Sequence, residues 1–120
     1  MKRVTQHQGI FYQLYKARFE NPEQYIPIWK LIGEIFIKEI SQWVFISYEV
    51  SARMSELYRK NSNLFQRIEI EGKTGAKYFA YRININVVPE DILDIDLKKF
   101  YKLIKSREQA IFVPNVPANK

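Results

Sequence analysis

The 120-residue sequence predicts a mainly helical α+β fold: three helices, a β-hairpin and an extra C-terminal helix. Three patterns carry that expectation. Apolar residues recur three and four positions apart in three separate stretches, as the buried stripe of a helix requires. Residues 65–71 and 78–83 instead alternate apolar and polar on either side of a glycine-flanked turn, which signals a hairpin. A last apolar stripe, spaced four, three and four, follows Val88-Pro89.

The first helix starts at Thr5, because Thr5 and Gln8 have the spacing of a capping box. Ile10, Phe11, Leu14 and Tyr15 form its apolar face, and Asn21-Pro22 ends it. Tyr25-Ile26-Pro27 is a short extended piece, since a residue before proline is pushed out of the α region. Pro27 suits the first turn of a second helix, whose face is Ile28, Leu31, Ile32, Ile35 and Phe36 and which fades over residues 38–41. The run Trp43, Val44, Phe45, Ile46 is open to strand, turn or continued helix. Ser47 can cap a third helix that buries Val50, Met54 and Leu57 and ends at Lys60-Asn61. The hairpin follows, with Gly72-Lys73-Thr74-Gly75 as its turn. The last helix carries Leu93, Leu97, Phe100 and Ile104, flanked by Lys98, Lys99, Lys102, Lys105 and Arg107. The expected organisation is residues 1–88 as one domain, 89–112 as a C-terminal helix for packing or dimerisation, and 113–120 as a flexible tail.

Composition narrows the function. Hydrophobic residues make up 47 % and aromatics 15 %, enough for a real core. The absence of cysteine excludes disulfides, thiol nucleophiles and zinc-thiolate sites. The apolar runs are too short to span a bilayer, and no signal core follows Met1-Lys2-Arg3. A soluble, cytoplasmic and nucleoid-associated protein is expected, with no membrane partner. The net charge of +6 attracts polyanions such as DNA, RNA or anionic membrane surfaces.

Enzyme readings find little support. His7 is the sole histidine, and without cysteine it cannot build a common zinc site. Glu90, Asp91, Asp94 and Asp96 cluster, but acids at a helix N-terminus are what the helix dipole favours. Gly72-Lys73-Thr74-Gly75 is no phosphate loop: it lacks the spaced first glycine and joins two strands. No catalysis, cofactor, metal or small-molecule ligand is expected.

One constellation is more specific. Arg53-Met54-Ser55-Glu56-Leu57 is followed by Phe65-Gln66-Arg67 and then by the strand from Tyr78 to Ile83. Over residues 5–85 this resembles the small winged helix-turn-helix proteins of bacterial or phage type. Two departures stand out: residues 38–47 are longer and more apolar than a tight turn, and Asn61-Ser62-Asn63 lacks the glycine often found there. The resemblance implies a winged helix-turn-helix fold and a duplex DNA-binding protein that regulates transcription.

The chemistry of the residues points the same way. A helix fits the major groove, and the outward set Tyr48, Glu49, Ser51, Ala52, Ser55 and Arg59, with Arg53 and Lys60 as further candidates, supplies hydroxyls, a methyl and cations for bases and phosphates. Lys73, Thr74 and Lys77 at the hairpin tip can hold the backbone. Blander roles compete. Arg53 can pair with Glu49 or Glu56 along the helix, and Lys73 and Lys77 can be ordinary solvated residues. Leu93, Leu97, Phe100 and Ile104 serve equally as internal packing or as a homodimer interface matching a two-fold DNA site. Two other functions stay open: a protein-interaction adaptor, to which Glu49, Glu56, Glu69 and Glu71 lend weight, and a replication or RNA-binding module.

Overall fold

The computed structural model of the chain describes residues 3–87 and 92–112. Val88-Pro89, Glu90, Asp91 and the expected tail at 113–120 lie outside them. Among the described residues the order is α1 (Gln6–Glu20), β1 (Ile26–Pro27), a 3-10 turn (Ile28–Leu31), β2 (Gly33–Ile37), β3 (Gln42–Ile46), α2 (Val50–Lys60), β4 (Phe65–Glu71), β5 (Lys77–Ile83) and α3 (Ile95–Phe112). The strands form two antiparallel sheets, one ordered β1-β5-β4 and the other the β2-β3 hairpin.

This order overturns the winged helix-turn-helix expectation. The second helix does not form. After one 3-10 turn the chain extends at Ile32 (φ −78°, ψ 141°), and Gly33 takes φ +123°, a conformation side-chain-bearing residues rarely adopt. β2 and β3 follow, pairing Ile35 with Val44 and Phe36 with Trp43. The β-branched residues Ile35, Ile37, Val44 and Ile46 favour a pleated strand and turn inward. Phe36, counted on the buried stripe of a helix, faces outward instead. The fold is α+β, with helix, strands, helix, strands and helix in succession rather than a mainly helical domain.

Other elements form as their residues dictate. Thr5 Oγ1 accepts the Gln8 backbone N–H at 3.2 Å, and Gln8 Oε1 accepts that of Thr5 at 3.0 Å, closing the capping box. Ile26 pairs with Tyr81, adding the short strand before Pro27 to the edge of β5. Ser47 caps the turn ahead of α2, its hydroxyl accepting from Glu49 N at 3.2 Å, rather than the helix itself. Asn61 ends α2 with φ −137°, its backbone N–H and its side-chain Nδ2 both donating to the Leu57 carbonyl, and not through a left-handed backbone.

One apolar core joins all these parts, from Ile10, Phe11 and Leu14 on α1 to Leu97, Phe100 and Ile104 on α3. Tyr101 of α3 meets Phe11 and Tyr15 edge-on, at 6.0 and 5.5 Å between ring centroids. The β2-β3 hairpin is tied to α1 at two points. Gln6 Nε2 donates to the Phe45 carbonyl at 2.6 Å and Gln6 Oε1 accepts the Ser47 N–H at 3.0 Å. At the other end, buried Glu39 accepts from Tyr12 and Lys16. No helix among the described residues is long and apolar enough to cross a membrane.

Candidate nucleic-acid interface

α2, the helix expected to be third, buries Val50, Met54 and Leu57. Its opposite side is a ridge along which Tyr48, Ser51, Ala52 and Arg59 are exposed and Ser55 is half-buried. Tyr48, just ahead of the helix, is 84 % exposed. Nothing else in the described chain covers this ridge.

Three of the expected contact residues are already engaged. Arg53 NH2 lies 3.2 Å from Glu56 Oε2, and Glu56 Oε1 lies 2.9 Å from His7 Nε2, so the three residues link α2 to α1. The hydrogen bond to His7 does most to hold the Glu56 carboxyl below its ordinary pKa; partial desolvation opposes it, and the Arg53 charge adds to it. Arg53 Nε is buried without a hydrogen-bond partner among the described residues. Lys60 points to Asp94 at 3.8 Å, and Lys77 crosses the hairpin to Glu69 at 3.9 Å.

β4 and β5 pair from Phe65 with Ile83 to Glu71 with Lys77. Between them, Gly72 N donates to the Ala76 carbonyl at 2.7 Å and Gly75 takes φ +81°. Lys73 and Thr74 are exposed at this tip. Gly72 is needed for packing: a Cβ there would come within 2.6 Å of the Tyr78 ring. That ring meets Trp29 edge-on at 5.1 Å, and the two rings bound an open cleft of about 450 Å³ with Gly72, Lys73 and Thr74.

Arg67 belongs to the quoted Phe65-Gln66-Arg67 segment but was not expected to be a contact residue. Its guanidinium lies over Tyr58 of α2 at 4.5 Å and over Phe79 of β5 at 4.2 Å. Contact with two rings restrains the guanidinium and leaves its N–H groups to donate. Arg67 is exposed where α2 meets the hairpin. The alternation of β4 identifies a strand, but the clamp depends on Tyr58 from another element and has no signal in local spacing. Among the described residues, Arg59, Arg67 and Lys73 carry no ion pair.

The α3 stripe divides. Leu97, Phe100 and Ile104 are buried in the chain's own core, while Leu93, ahead of the helix, is 73 % exposed. On the outer side of α3, Lys99, Lys102 and Arg107 are exposed. Asp94 caps this helix: its Oδ1 accepts from Asp96 N at 3.0 Å and from Leu97 N at 3.2 Å. The chain matches no family model, no curated protein and no solved structure.

Proposed function

We propose that the protein binds double-stranded DNA with sequence preference, as a regulator of transcription does. The α2 ridge enters the major groove and the β4-β5 tip lies along the backbone. The observation that carries this reading is the uncovered ridge of Tyr48, Ser51, Ala52, Ser55 and Arg59, standing beside the clamped guanidinium of Arg67. Small hydroxyl and methyl side chains let a helix sit close to base edges, and Arg59 and Arg67 supply donors for guanine or phosphate oxygens. Lys73 and Thr74 reach the phosphates on one side, and the exposed α3 cations add to the long-range attraction. Pairing within the chain tempers two of the four acidic residues nearby, Glu56 through Arg53 and Glu69 through Lys77, while Glu49 and Glu71 are exposed and weigh against the reading.

Duplexes selected from a random pool, titrated by fluorescence anisotropy at several salt concentrations, test the proposal. Affinity falls with log salt at a slope of about −0.9 for each neutralised phosphate. Absence of binding to any duplex at low salt ends it.

The second reading is a protein-interaction adaptor, favoured by the exposed rings of Phe36, Trp43 and Phe45 on the β2-β3 hairpin. It predicts that substitutions there, and not along α2, abolish the biological activity.

A further inference from the structure

Beside the β4-β5 tip two aromatic rings form a corner. β1 pairs Pro27 with Ala80, so the 3-10 turn that follows brings Trp29 beside Tyr78, near the start of β5. The ring centroids are 5.1 Å apart and the planes cross at 82°. Both rings stay open to solvent, Trp29 by 43 % and Tyr78 by 39 %. Gly72 lets the Tyr78 ring lie against the turn, because a Cβ there would come within 2.6 Å of it.

The shape and charge of this corner suit one kind of ligand. A flat ring laid on one aromatic face turns its edge to the other, so both walls are used. The same cleft, of about 450 Å³, is lined by Lys73 and Thr74. Lys73 is exposed and carries no ion pair among the described residues, and Thr74 adds an exposed hydroxyl. Glu71 also borders the cleft, but the register sets it opposite Lys77 and sets Tyr78 opposite Ile70, so its side chain leaves from the other face of the hairpin. What remains is a stacking surface beside a cation and a hydroxyl. A base joined to a phosphate matches both halves.

We propose that the corner binds an unpaired nucleotide, its base stacked against Trp29 and Tyr78 and its phosphate held by Lys73 and Thr74. This goes beyond duplex recognition, in which every base stays in the helical stack. A base reaches the corner only from a free nucleotide, a single strand, a strand end or a gap. Every base has a face to stack, so the corner accepts all of them and favours purines for their larger area. The inference stands on the corner alone and does not depend on the α2 ridge.

Trp29 and Trp43 are the two tryptophans of the chain, so in Trp43→Phe the tryptophan emission reports on the corner. This full-length variant is titrated with AMP, CMP, adenosine, ribose 5-phosphate and a short oligo(dA), up to about 10 mM nucleotide. The expected result is saturable quenching by AMP and oligo(dA), weaker binding of CMP, and no quenching by ribose 5-phosphate, which has no base. Adenosine, without a phosphate, binds about threefold more weakly than AMP. Lys73→Ala lowers the affinity for AMP to that for adenosine. Tyr78→Ala weakens AMP binding about tenfold, and Gly72→Ala weakens it by displacing the ring. Unchanged circular dichroism confirms that the variants fold. Tighter binding of oligo(dA) than of AMP at equal nucleotide concentration assigns the corner to a strand; otherwise it serves free nucleotides. Absence of quenching overturns the proposal, as does quenching that ribose 5-phosphate reproduces or that Tyr78→Ala and Lys73→Ala leave unchanged. Quenching by an acidic proline-rich peptide, where nucleotides give none, also overturns it and assigns the corner to a protein partner. None of these failures touches the duplex titration, which reads the α2 ridge.

Discussion

The Tyr12 hydroxyl donates to Glu39 Oε1 at 2.6 Å, joining the middle of α1 to the turn between β2 and β3. The Glu39 side chain is fully shielded, and Lys16 donates to its other oxygen. Burial pushes the Glu39 carboxyl up, but the hydrogen bonds from Lys16, Tyr12 and the backbone, with the Lys16 charge, outweigh it and hold the pKa below the ordinary value. A carboxylate depressed in the folded state contributes stability above its unfolded pKa of about 4.3 and loses it as the pH falls through the depressed value. Glu39→Gln therefore destabilises the fold at pH 7 by about 1–3 kcal/mol, because Lys16 and Tyr12 lose a charged acceptor. Urea titrations show the gap from wild type narrowing once the pH drops below about 4.3. A gap independent of pH contradicts this assignment.

Asn61 performs a comparable task for α3. It is buried, and its Oδ1 accepts the backbone N–H groups of Leu93 and Asp94, both at 3.2 Å. Asn61→Ala leaves two donors without an acceptor and costs about 1–3 kcal/mol. Amide exchange at Leu93 and Asp94 accelerates accordingly. Lys60→Ala, which removes only a long 3.8 Å pair between the exposed Lys60 and Asp94, changes stability by less than about 1 kcal/mol. Equal losses in the two variants would show that the amide is not the tie.

Gly33 isolates a backbone effect. An added Cβ would meet no atom within 4 Å, yet φ is +123°. Gly33→Ala costs about 1–3 kcal/mol from strain alone. Denaturant midpoints measure it, and a neutral substitution would mean that the β2 entrance relaxes freely.

Binding variants separate positioning from reading. Lys73→Ala weakens all duplexes alike and lowers the salt slope by about 1. Ser51→Ala and Ser55→Ala leave the slope unchanged and reorder the preferred sequences. Arg67→Lys keeps the charge but loses the ring-clamped fork, so it binds less tightly than wild type with a similar salt slope. Anisotropy at several salt concentrations reads all three. A uniform loss from the serine changes would remove the ridge from the reading surface.

Much of the fold was legible where local chemistry and burial agree. The Thr5 capping box, the α2 phase of Val50, Met54 and Leu57, and the β4-β5 alternation each form as their residues require. The second helix failed because Ile28, Leu31, Ile32, Ile35 and Phe36 satisfy a helical period equally well as a short turn plus a strand. The deciding signals were Gly33 and the matching β-rich runs on either side of residues 38–41. In the candidate site, exposure followed helical phase, so the α2 ridge could be read from spacing. The Arg53–Glu56 pair was legible too, from its spacing along the helix, but the engagement of Lys60 and Lys77 and the ring contacts of Arg67 depend on partners in other elements, which periodicity does not encode.

The Gln6 carboxamide has a protective consequence. By bonding Phe45 O and Ser47 N, it occupies the main-chain groups that an incoming strand would need at that end of β3. A hairpin rich in isoleucine and phenylalanine, with a bare margin, is a template for fibril growth. Here one side chain of α1 blocks that margin, so the helix guards the strand against runaway polymerisation while leaving its aromatic surface accessible.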